Sequence, residues 1–302
     1  MIDSPWGALA LRDAHIHFFS RQFFDLLEAQ KGSPVDDAAR VACIELPPAN
    51  PEELAQRWVE ELDRHGVERA VLMASLPGDE DSVAEAVRAF PARFRGQFMT
   101  NPTAEGAMQR AEMAFANGLR GICFFPAMHS YSMADPAVEH LVALAEQKQA
   151  VVFVHCGALS VGIRGKLGLT SRFDLRYSSP VDLHPVALRH PGVRFVIPHF
   201  GAGYLREALM VASLCPNVYL DTSSTNRWMR FEGLTLETVF RRALDVVGSG
   251  RLVFGSDSSF YPRGWVEPVY REQAQALHQI GVSDADARNI FQDNFTQLFD
   301  AR

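Results

Sequence analysis

The stretch Leu11-Arg-Asp-Ala-His-Ile-His-Phe18 is a short extended run with apolar or small residues at Leu11, Ala14 and Ile16, and it contains two histidines two positions apart. In a β-strand, residues i and i+2 point to the same face, so His15 and His17 would project together. Two imidazoles that converge on one point form half of a metal site. A His-x-His pair is expected by chance in roughly a third of sequences with this histidine content, so its meaning depends on what lies downstream.

Downstream of this stretch, short apolar runs alternate with helical patterns to the end of the chain. The pattern predicts eight strands, at 11–18, 69–74, 94–99, 119–125, 151–155, 193–197, 218–220 and 252–254. Nearly all of them precede a helical segment, and strands that are apolar on both faces require a parallel sheet covered by helices. Eight such units favour closure into a barrel, and no glycine-rich dinucleotide fingerprint follows the first strand. We therefore expect an α/β fold, a (β/α)8 TIM barrel forming a single domain over 1–302, with an inserted loop over 30–48 after the first strand.

Composition limits the possible partners and the compartment. The formal net charge of −7 argues against broad binding of nucleic acid or anionic membranes. No signal-peptide pattern opens the chain, and the apolar runs end well short of a membrane span. The cysteines are widely spaced and form no C-x-x-C motif, which argues against a disulfide framework or a zinc ribbon; they are Cys43, Cys123, Cys156 and Cys215. These observations predict a cytoplasmic protein.

Polar residues end several of the predicted strands, at the level where barrel enzymes carry their chemistry. The first strand contributes His15 and His17, the fifth ends in His155, the sixth in His199 and the eighth in Asp257. A single histidine at a strand end is more often a satisfied hydrogen-bonding residue than a ligand. Burying all of these groups without a common partner would leave costly unsatisfied polar atoms. A shared divalent cation resolves this conflict.

Several segments together resemble the amidohydrolase superfamily, in the amidohydrolase-related branch that contains aminocarboxymuconate semialdehyde decarboxylase. The resemblance covers most of the chain and rests on Asp13-Ala-His-Ile-His17, Leu62-Asp63-x-x-Gly66-Val67, Pro91-x-Arg93-Phe94, Pro198-His199-x-Gly201, Pro216-Asn217-Val-Tyr-x-Asp221, Gly255-Ser256-Asp257 and Asn294-x-x-x-Leu298-Phe299. Only the His-x-His and Gly-Ser-Asp segments carry chemistry by themselves.

The resemblance implies roles for the strand-end residues. It identifies His15, His17, His155 and Asp257 as ligands of one divalent metal ion, with zinc expected, and His199 as a histidine next to the activated water. Asp257 would also carry the proton, and His199 would orient the water or stabilise developing charge. Three imidazoles and a carboxylate suit zinc, which lowers the pKa of water to about 7.

The fourth strand departs from the pattern of dinuclear relatives, which carry a lysine at its end. Here this strand reads Gly121-Ile-Cys-Phe-Phe-Pro126 and has no lysine. Cys123 lies near the expected position, where a small buried apolar residue is the simpler interpretation. We therefore expect one metal ion rather than two.

The substrate side of the site is suggested by a basic segment over 158–180, directly after the fifth strand. Its charges are Arg164, Lys166, Arg172 and Arg176 against Asp174. A flexible cationic rim suits capture of a carboxylated substrate, although a solvated loop or a subunit contact explains the charges equally well. Arg227 and Trp228 offer a further cation and an aromatic wall. Phe18, with Phe19, Phe260 and Tyr261, could line an apolar pocket or simply pack within loops.

Two reactions fit the same set of ligands. In the first, a metal-activated water attacks a lactone, amide or related carbonyl of a small carboxylated molecule, which makes the protein a metal-dependent hydrolase. In the second, the metal holds an unsaturated or aromatic carboxylic acid that undergoes nonoxidative decarboxylation. His15 argues mildly against the relatives that decarboxylate hydroxylated aromatic acids, since many of them carry Glu there. A barrel that only binds ligand is disfavoured by the full ligand set, and the resemblance also implies a possible homodimer.

Overall fold

The computed structural model describes residues 1–170, 173–223 and 227–300. The β-strands are β1 (Ile2–Ser4), β2 (Gly7–Leu9), β3 (Leu11–His17), β4 (Val67–Ala74), β5 (Phe94–Thr100), β6 (Gly121–Phe124), β7 (Val151–Val154), β8 (Arg194–Ile197), β9 (Val218–Asp221) and β10 (Leu252–Val253). The α-helices are α1 (Arg21–Lys31), α2 (Asp36–Val41), α3 (Pro51–Arg64), α4 (Glu80–Ala89), α5 (Ala107–Ala116), α6 (Pro126–His129), α7 (Pro136–Gln147), α8 (Gly162–Lys166), α9 (His184–Arg189), α10 (Leu205–Leu214), α11 (Leu236–Val247), α12 (Glu267–Gln279), α13 (Asp284–Arg288) and α14 (Asn294–Phe299).

Strands β3 to β10 form one parallel sheet in which each strand pairs with the next along the chain. The first strand meets the segment that follows the last one, through a bridge between Ile16 and Ser258. Two backbone hydrogen bonds support this closure, from His17 N to Ser258 O at 2.8 Å and from Asp257 N to His15 O at 3.0 Å. The predicted TIM barrel is confirmed. Its closure brings the His-x-His segment of the first barrel strand next to the Gly-Ser-Asp segment that follows the last one.

Side chains of the strands alternate between two cores because successive residues of a strand face opposite sides. Residues that point into the barrel include Val71, Met73, Met99, Cys123, Phe153, Val196, Tyr219 and Val253. The opposite faces pack against the surrounding helices in a larger apolar cluster. Each barrel strand is therefore buried on both sides, as its near-continuous apolar sequence requires.

Helix α3 shows how local sequence produces the outer layer. The Asn50 side chain accepts a hydrogen bond from Glu52 N at 2.9 Å, and Pro51 occupies the first turn, where its missing N–H costs nothing. Trp58 and Leu62 lie one turn apart on the buried face, and both are fully buried against the barrel. In the described ranges, no helix is long and apolar enough to cross a membrane.

The segment after the first strand is more ordered than its sequence suggests. The predicted loop over 30–48 contains α2, whose Ala39 packs in a small apolar cluster of its own. We call this group the mouth cluster, and its buried members are Phe19, Phe23, Phe24, Leu27, Val35, Ala39, Ile44, Leu76, Ile163 and Leu167. Its segments follow the carboxyl ends of β3, β4 and β7, so the cluster lies on the same end of the barrel as the strand-end polar residues. The hairpin of β1 and β2 was not expected either.

The opposite end of the barrel is closed by the last helix and by ion pairs. Phe295 and Phe299 of α14 pack into the barrel core. Asp300 accepts hydrogen bonds from Arg95 Nε at 2.6 Å and from Arg69 Nη1 at 2.8 Å, and its side chain is only 13% exposed. The end of the chain is thus tied to strands β4 and β5.

Replacing this shared acceptor is expected to destabilise the fold. Asp300→Asn leaves two half-buried guanidinium groups without their carboxylate, so we expect the free energy of unfolding to fall by about 1–2 kcal/mol. Asp284→Asn removes the exposed pair with Arg288 and should change it by less than about 0.5 kcal/mol. Urea denaturation of both variants measures the difference, and equal losses would contradict the assigned role.

A second ionic contact joins α7 to the residue after α9. His190 lies 2.8 Å through Nδ1 from Glu146 Oε2 and 2.8 Å through Nε2 from Glu139 Oε1. Burial alone would lower the pKa of His190, but these hydrogen bonds raise it above its ordinary value of 6.5. The bond from Arg189 is the main cause that lowers the pKa of Glu139 to about 2, so this carboxylate stays ionised.

The contact at His190 is expected to make stability depend on pH. Because the pKa of His190 is higher in the folded state, its contribution is complete below pH 6.5 and is lost as pH rises through the folded-state pKa. We therefore expect His190→Gln to lower Tm most at about pH 5.5–6 and progressively less toward about pH 9. Thermal unfolding measures this, with His140→Gln, an exposed position on α7, as the control. A Tm difference between His190→Gln and the wild type that grows with pH would contradict the prediction.

Candidate metal centre

Barrel closure brings three of the sequence-identified side chains into one compact group. His15 and His17 lie on β3, and Asp257 lies just after β10. Asp257 Oδ1 is 3.2 Å from His17 Nε2 and 3.8 Å from His15 Nε2, and one ligand atom from each residue lies within 4.8 Å of the others. The side chain of Asp257 is 31% exposed, whereas that of His15 is 1% exposed. The group therefore lies at the floor of the barrel mouth and is open on one side.

Backbone strain helps to place these groups. Asp257 has φ of 60° and His199 has φ of 55°, a region that residues with a side chain seldom occupy. Gly255 allows a close approach, because a Cβ at this position would lie 2.7 Å from the Cβ of His15. Such positions persist only where the surrounding structure holds them, and they concentrate at functional sites.

Hydrogen bonds set the orientation of the two imidazoles on β3. His15 Nδ1 donates to Asp221 Oδ2 at 2.7 Å, and His17 Nδ1 lies 2.7 Å from Ser75 Oγ. Both Nε2 atoms are therefore directed toward Asp257. His15 Nε2 is buried and has no hydrogen-bond partner in the described part of the chain. A ring nitrogen fixed in this way is the arrangement that metal-binding histidines show.

The other two strand-end histidines lie beside this group. The rings of His15 and His199 are stacked with centroids 5.2 Å apart, and the His155 ring lies 5.3 Å from that of His199. His155 does not belong to the compact group of three. Its Nδ1 is buried without a partner among the described residues. The role of His155 as a ligand, and that of His199 beside the reacting water, remain predictions.

Electrostatics favour at Asp257 and at His155 the protonation states that a metal requires, and they oppose the neutral form at His15. The recessed position of Asp257 would raise its pKa, but the His17 hydrogen bond and the neighbouring imidazoles hold it well below its usual range. Burial, with the charges of His199 and His15, sets the pKa of His155 well below its ordinary value. Burial would also lower the pKa of His15, yet the Asp221 carboxylate raises it. A deprotonated carboxylate and a neutral imidazole are the forms that bind metal ions.

The residues present fit a divalent ion. Within this group of strand-end histidines, buried ring nitrogens of His15 and His155 that have no partner among the described residues would each gain one, which removes the cost of leaving them unsatisfied. Imidazole and carboxylate donors suit zinc among the divalent ions that proteins commonly bind. Cys123, on the strand where dinuclear relatives carry lysine, is fully buried inside the barrel, and burial raises the pKa of its thiol well above the ordinary value.

Four residues that form hydrogen bonds at the site have no role assigned from the sequence. Asp221 ends β9 with a carboxylate, which is the same signal that identified Asp257, so it could have been found. Ser75 and Ser223 follow strands without any distinguishing pattern. Asp13 accepts hydrogen bonds from His15 N at 2.9 Å and Ser256 N at 3.0 Å and therefore helps to close the barrel. Burial is the main cause that raises the pKa of Asp13 to about 6.

The Asp221 contact yields a direct prediction. Asp221→Asn replaces the negatively charged acceptor beside His15 Nδ1 by a neutral amide, which weakens the hydrogen bond that orients the ring. We expect zinc affinity, measured by competition with a chromogenic chelator, to fall about 10- to 100-fold. The exposed Asp245→Asn on α11 should leave affinity unchanged. An unchanged affinity in Asp221→Asn would argue against His15 Nε2 as a ligand atom.

The basic residues proposed for the substrate are partly engaged elsewhere. Arg164 Nη1 donates to Gln30 Oε1 at 2.8 Å and so links α8 to α1. The side chain of Arg176 is 82% exposed and is paired with Asp174 at 2.6 Å. Both contacts compete with binding of a substrate carboxylate, whose recognition by these residues remains a prediction. Arg172 lies outside the described residues.

The aromatic candidates are mostly part of the packing. Phe18 is fully buried between barrel and helices, so it offers no surface to a substrate. Its neighbour Phe19 lies beside the site instead, with its ring centroid 5.6 Å from that of His17. Trp228 is buried against Phe200 at 6.4 Å. Arg227 is exposed, next to the undescribed residues 224–226.

Comparisons with known proteins identify the family and the fold. The sequence profile of the family described as Amidohydrolase matches residues 13–301. The curated Protein fluG of Emericella nidulans is 34% identical over 110 residues, which are 36% of this chain and 12% of that protein. This match therefore spans only a small part of the curated relative.

Solved structures show the same fold at low identity. The 5-carboxyvanillate decarboxylase of Sphingomonas paucimobilis has a TM-score of 0.67 at 16% identity, covering 98% of this chain and 100% of that one. A probable 2-pyrone-4,6-dicarboxylic acid hydrolase of Acinetobacter baumannii, with citric acid bound, has a TM-score of 0.63 at 17% identity over 97% and 100%. A protein of Burkholderia multivorans with bound zinc has a TM-score of 0.60 at 17% identity over 98% and 100%.

Proposed function

Because this chain belongs to the amidohydrolase family, we propose that it is a mononuclear metal-dependent hydrolase that acts on a lactone, amide or related carbonyl. The observation that carries the proposal is the compact group of His15, His17 and Asp257 at the barrel mouth. Its geometry leaves one side open, where a water molecule and a small substrate can reach the same point. We further propose zinc as the ion and His155 as a fourth ligand.

The protein supplies orientation and proton transfer around this point. A bound divalent ion would activate water and polarise the substrate carbonyl. Asp257, whose pKa is held low, is ionised and can accept a proton from the attacking water and pass it to the leaving group. His199, beside His15, is placed to hydrogen-bond an oxygen of the substrate as charge develops on it. The hydrogen bond between His17 Nδ1 and Ser75 Oγ holds the His17 ring in one orientation during these steps.

A small carboxylated substrate is part of the proposal. The mouth is bordered by Phe19 and by a segment with several basic residues, which suits a planar acid. Two proteins with this fold act, by their descriptions, on ring compounds that bear carboxylates, namely 5-carboxyvanillate and 2-pyrone-4,6-dicarboxylic acid. They perform different reactions, so this likeness supports the substrate class and not the choice between reactions.

Nonoxidative decarboxylation is the second candidate, because it uses the same ligands. It needs a resident acid that protonates the carbon after carbon dioxide leaves. Asp257 is ionised, and the pKa of His155 lies well below its ordinary value, so neither group is poised to donate a proton at neutral pH. Decarboxylation would therefore need a proton donor other than Asp257 and His155.

The two reactions differ in their products. The zinc-loaded protein is assayed with small carboxylated lactones and with unsaturated and aromatic carboxylic acids. Release of acid without carbon dioxide, abolished by a chelator and restored by zinc, is the expected result. Carbon dioxide release without water addition would identify the decarboxylase. Binding without turnover, insensitive to a chelator, would reject both.

A further inference from the structure

A buried hydroxyl group lies between two histidines of the site. Ser223 lies two residues after β9 and is fully buried. Its Oγ is 2.9 Å from His15 Nδ1 and 2.8 Å from His199 Nδ1. One hydroxyl carries one proton, so its hydrogen bonds constrain which ring nitrogens are protonated.

The contact with Asp221 determines which ring nitrogen of His15 carries a proton. Its Nδ1 lies 2.7 Å from Asp221 Oδ2, and a carboxylate can only accept. Nδ1 of His15 therefore carries a proton and cannot accept one from Ser223. Ser223 N also donates to Asp221 Oδ1 at 2.5 Å, which holds this carboxylate in place. Within the described chain, His199 Nδ1 is the remaining acceptor in reach of the hydroxyl.

The alternative arrangement is less favourable. If His199 Nδ1 carried a proton, it would donate to the carbonyl oxygen of Ser223, at 3.2 Å. The buried hydroxyl would then have no acceptor, which costs more than leaving one lone pair of a carbonyl unused. The shorter contact, at 2.8 Å, is the one that the hydroxyl makes as a donor.

We propose that Ser223 is a positioning residue that holds His199 in the tautomer with its proton on Nε2. Nε2 is the ring nitrogen on the side away from Ser223, and the hydrogen bonds of His199 to described residues are made through Nδ1. In this state, His199 presents an N–H to the cavity. It donates a hydrogen bond to a substrate oxygen and does not remove a proton from water, a task that falls to Asp257. The catalytic consequence rests on the proposed function, whereas the tautomer does not.

The tautomer is measured directly. Full-length protein labelled with 15N-histidine, both zinc-loaded and chelator-treated, is examined at about pH 8 by two-bond 1H–15N correlation. The His199 signals are identified by their loss in His199→Gln. We expect protonated Nε2 in both forms of the wild-type protein. In Ser223→Ala, a shift toward protonated Nδ1 is expected, and Ser223→Thr should keep the wild-type pattern.

Each outcome decides the proposal. A proton on Nδ1 in either form of the wild-type protein overturns it, and so does an unchanged tautomer in Ser223→Ala. The spectra remain decisive if no substrate is found, so failure of the proposed function is distinguishable. Where turnover is established, Ser223→Ala should lower kcat on the order of 10²-fold with little change in KM, and Ser223→Thr should restore it. Equal losses in both variants would mean a packing role only and would overturn the assignment.

Discussion

His155→Ala is expected to lose bound metal and activity together. The side chain directly follows the fifth barrel strand, is buried, and has a ring nitrogen without a partner among the described residues. A metal ion would supply that partner. Removing a ligand should weaken zinc binding by more than the roughly 10- to 100-fold expected for a group that only orients one. We expect zinc content after dialysis to fall to background and turnover to fall by at least about 10³-fold.

The matched control for this variant is His140→Ala, which removes an exposed histidine from α7. It should retain zinc and activity. Metal content is measured by atomic emission on the dialysed proteins, and folding by circular dichroism. A folded His155→Ala protein with its full zinc content would contradict the ligand assignment and would leave His15, His17 and Asp257 as the protein ligands.

Asp257→Asn is expected to separate metal binding from proton transfer. An amide keeps the size of the carboxylate and one oxygen donor, but it cannot accept a proton from water at neutral pH. We expect kcat to fall by about 10³- to 10⁴-fold. Zinc affinity should fall less steeply, because two histidines on β3 and the adjacent imidazoles are unchanged.

Two measurements distinguish the roles of Asp257. Zinc affinity and kcat are compared in the same variant at saturating zinc, with the exposed Asp245→Asn as control. A residual rate near that of the wild type under these conditions would show that Asp257 only binds metal and that another group carries the proton. The same conclusion would follow if kcat is low at limiting zinc and returns to the wild-type value at saturating zinc.

Most of the barrel could be predicted because its signals are local. Val151–Val154 is apolar at every position, and this is what a strand buried on both faces requires. The segment over 30–48 was harder to interpret, since α2 is only six residues long and is stabilised by the mouth cluster rather than by its own sequence. The hairpin at the start of the chain is likewise too short to show a clear alternation.

The substrate side was predicted less well than the metal centre. Phe18 and Phe19 are adjacent and chemically identical, yet one is buried in the outer core and the other lies beside His17. Which of two neighbours lies beside His17 depends on the exact register of the strand end, which a one-residue change reverses. The basic residues of the segment after β7 have partners, such as Gln30 for Arg164, that are distant in sequence.

The sequence by itself determined the eight-strand order and the residues with the donor chemistry of a metal site, because apolar periodicity and residue type are properties of the chain. The tertiary structure alone decided that His15 meets Asp257, that Asp221 and Ser223 orient the imidazoles, and that Phe18 is excluded from the mouth. Barrel closure joins segments more than 200 positions apart, as the 206 positions between His15 and Asp221 show. The distances and hydrogen bonds that define the site therefore exist only in the closed fold.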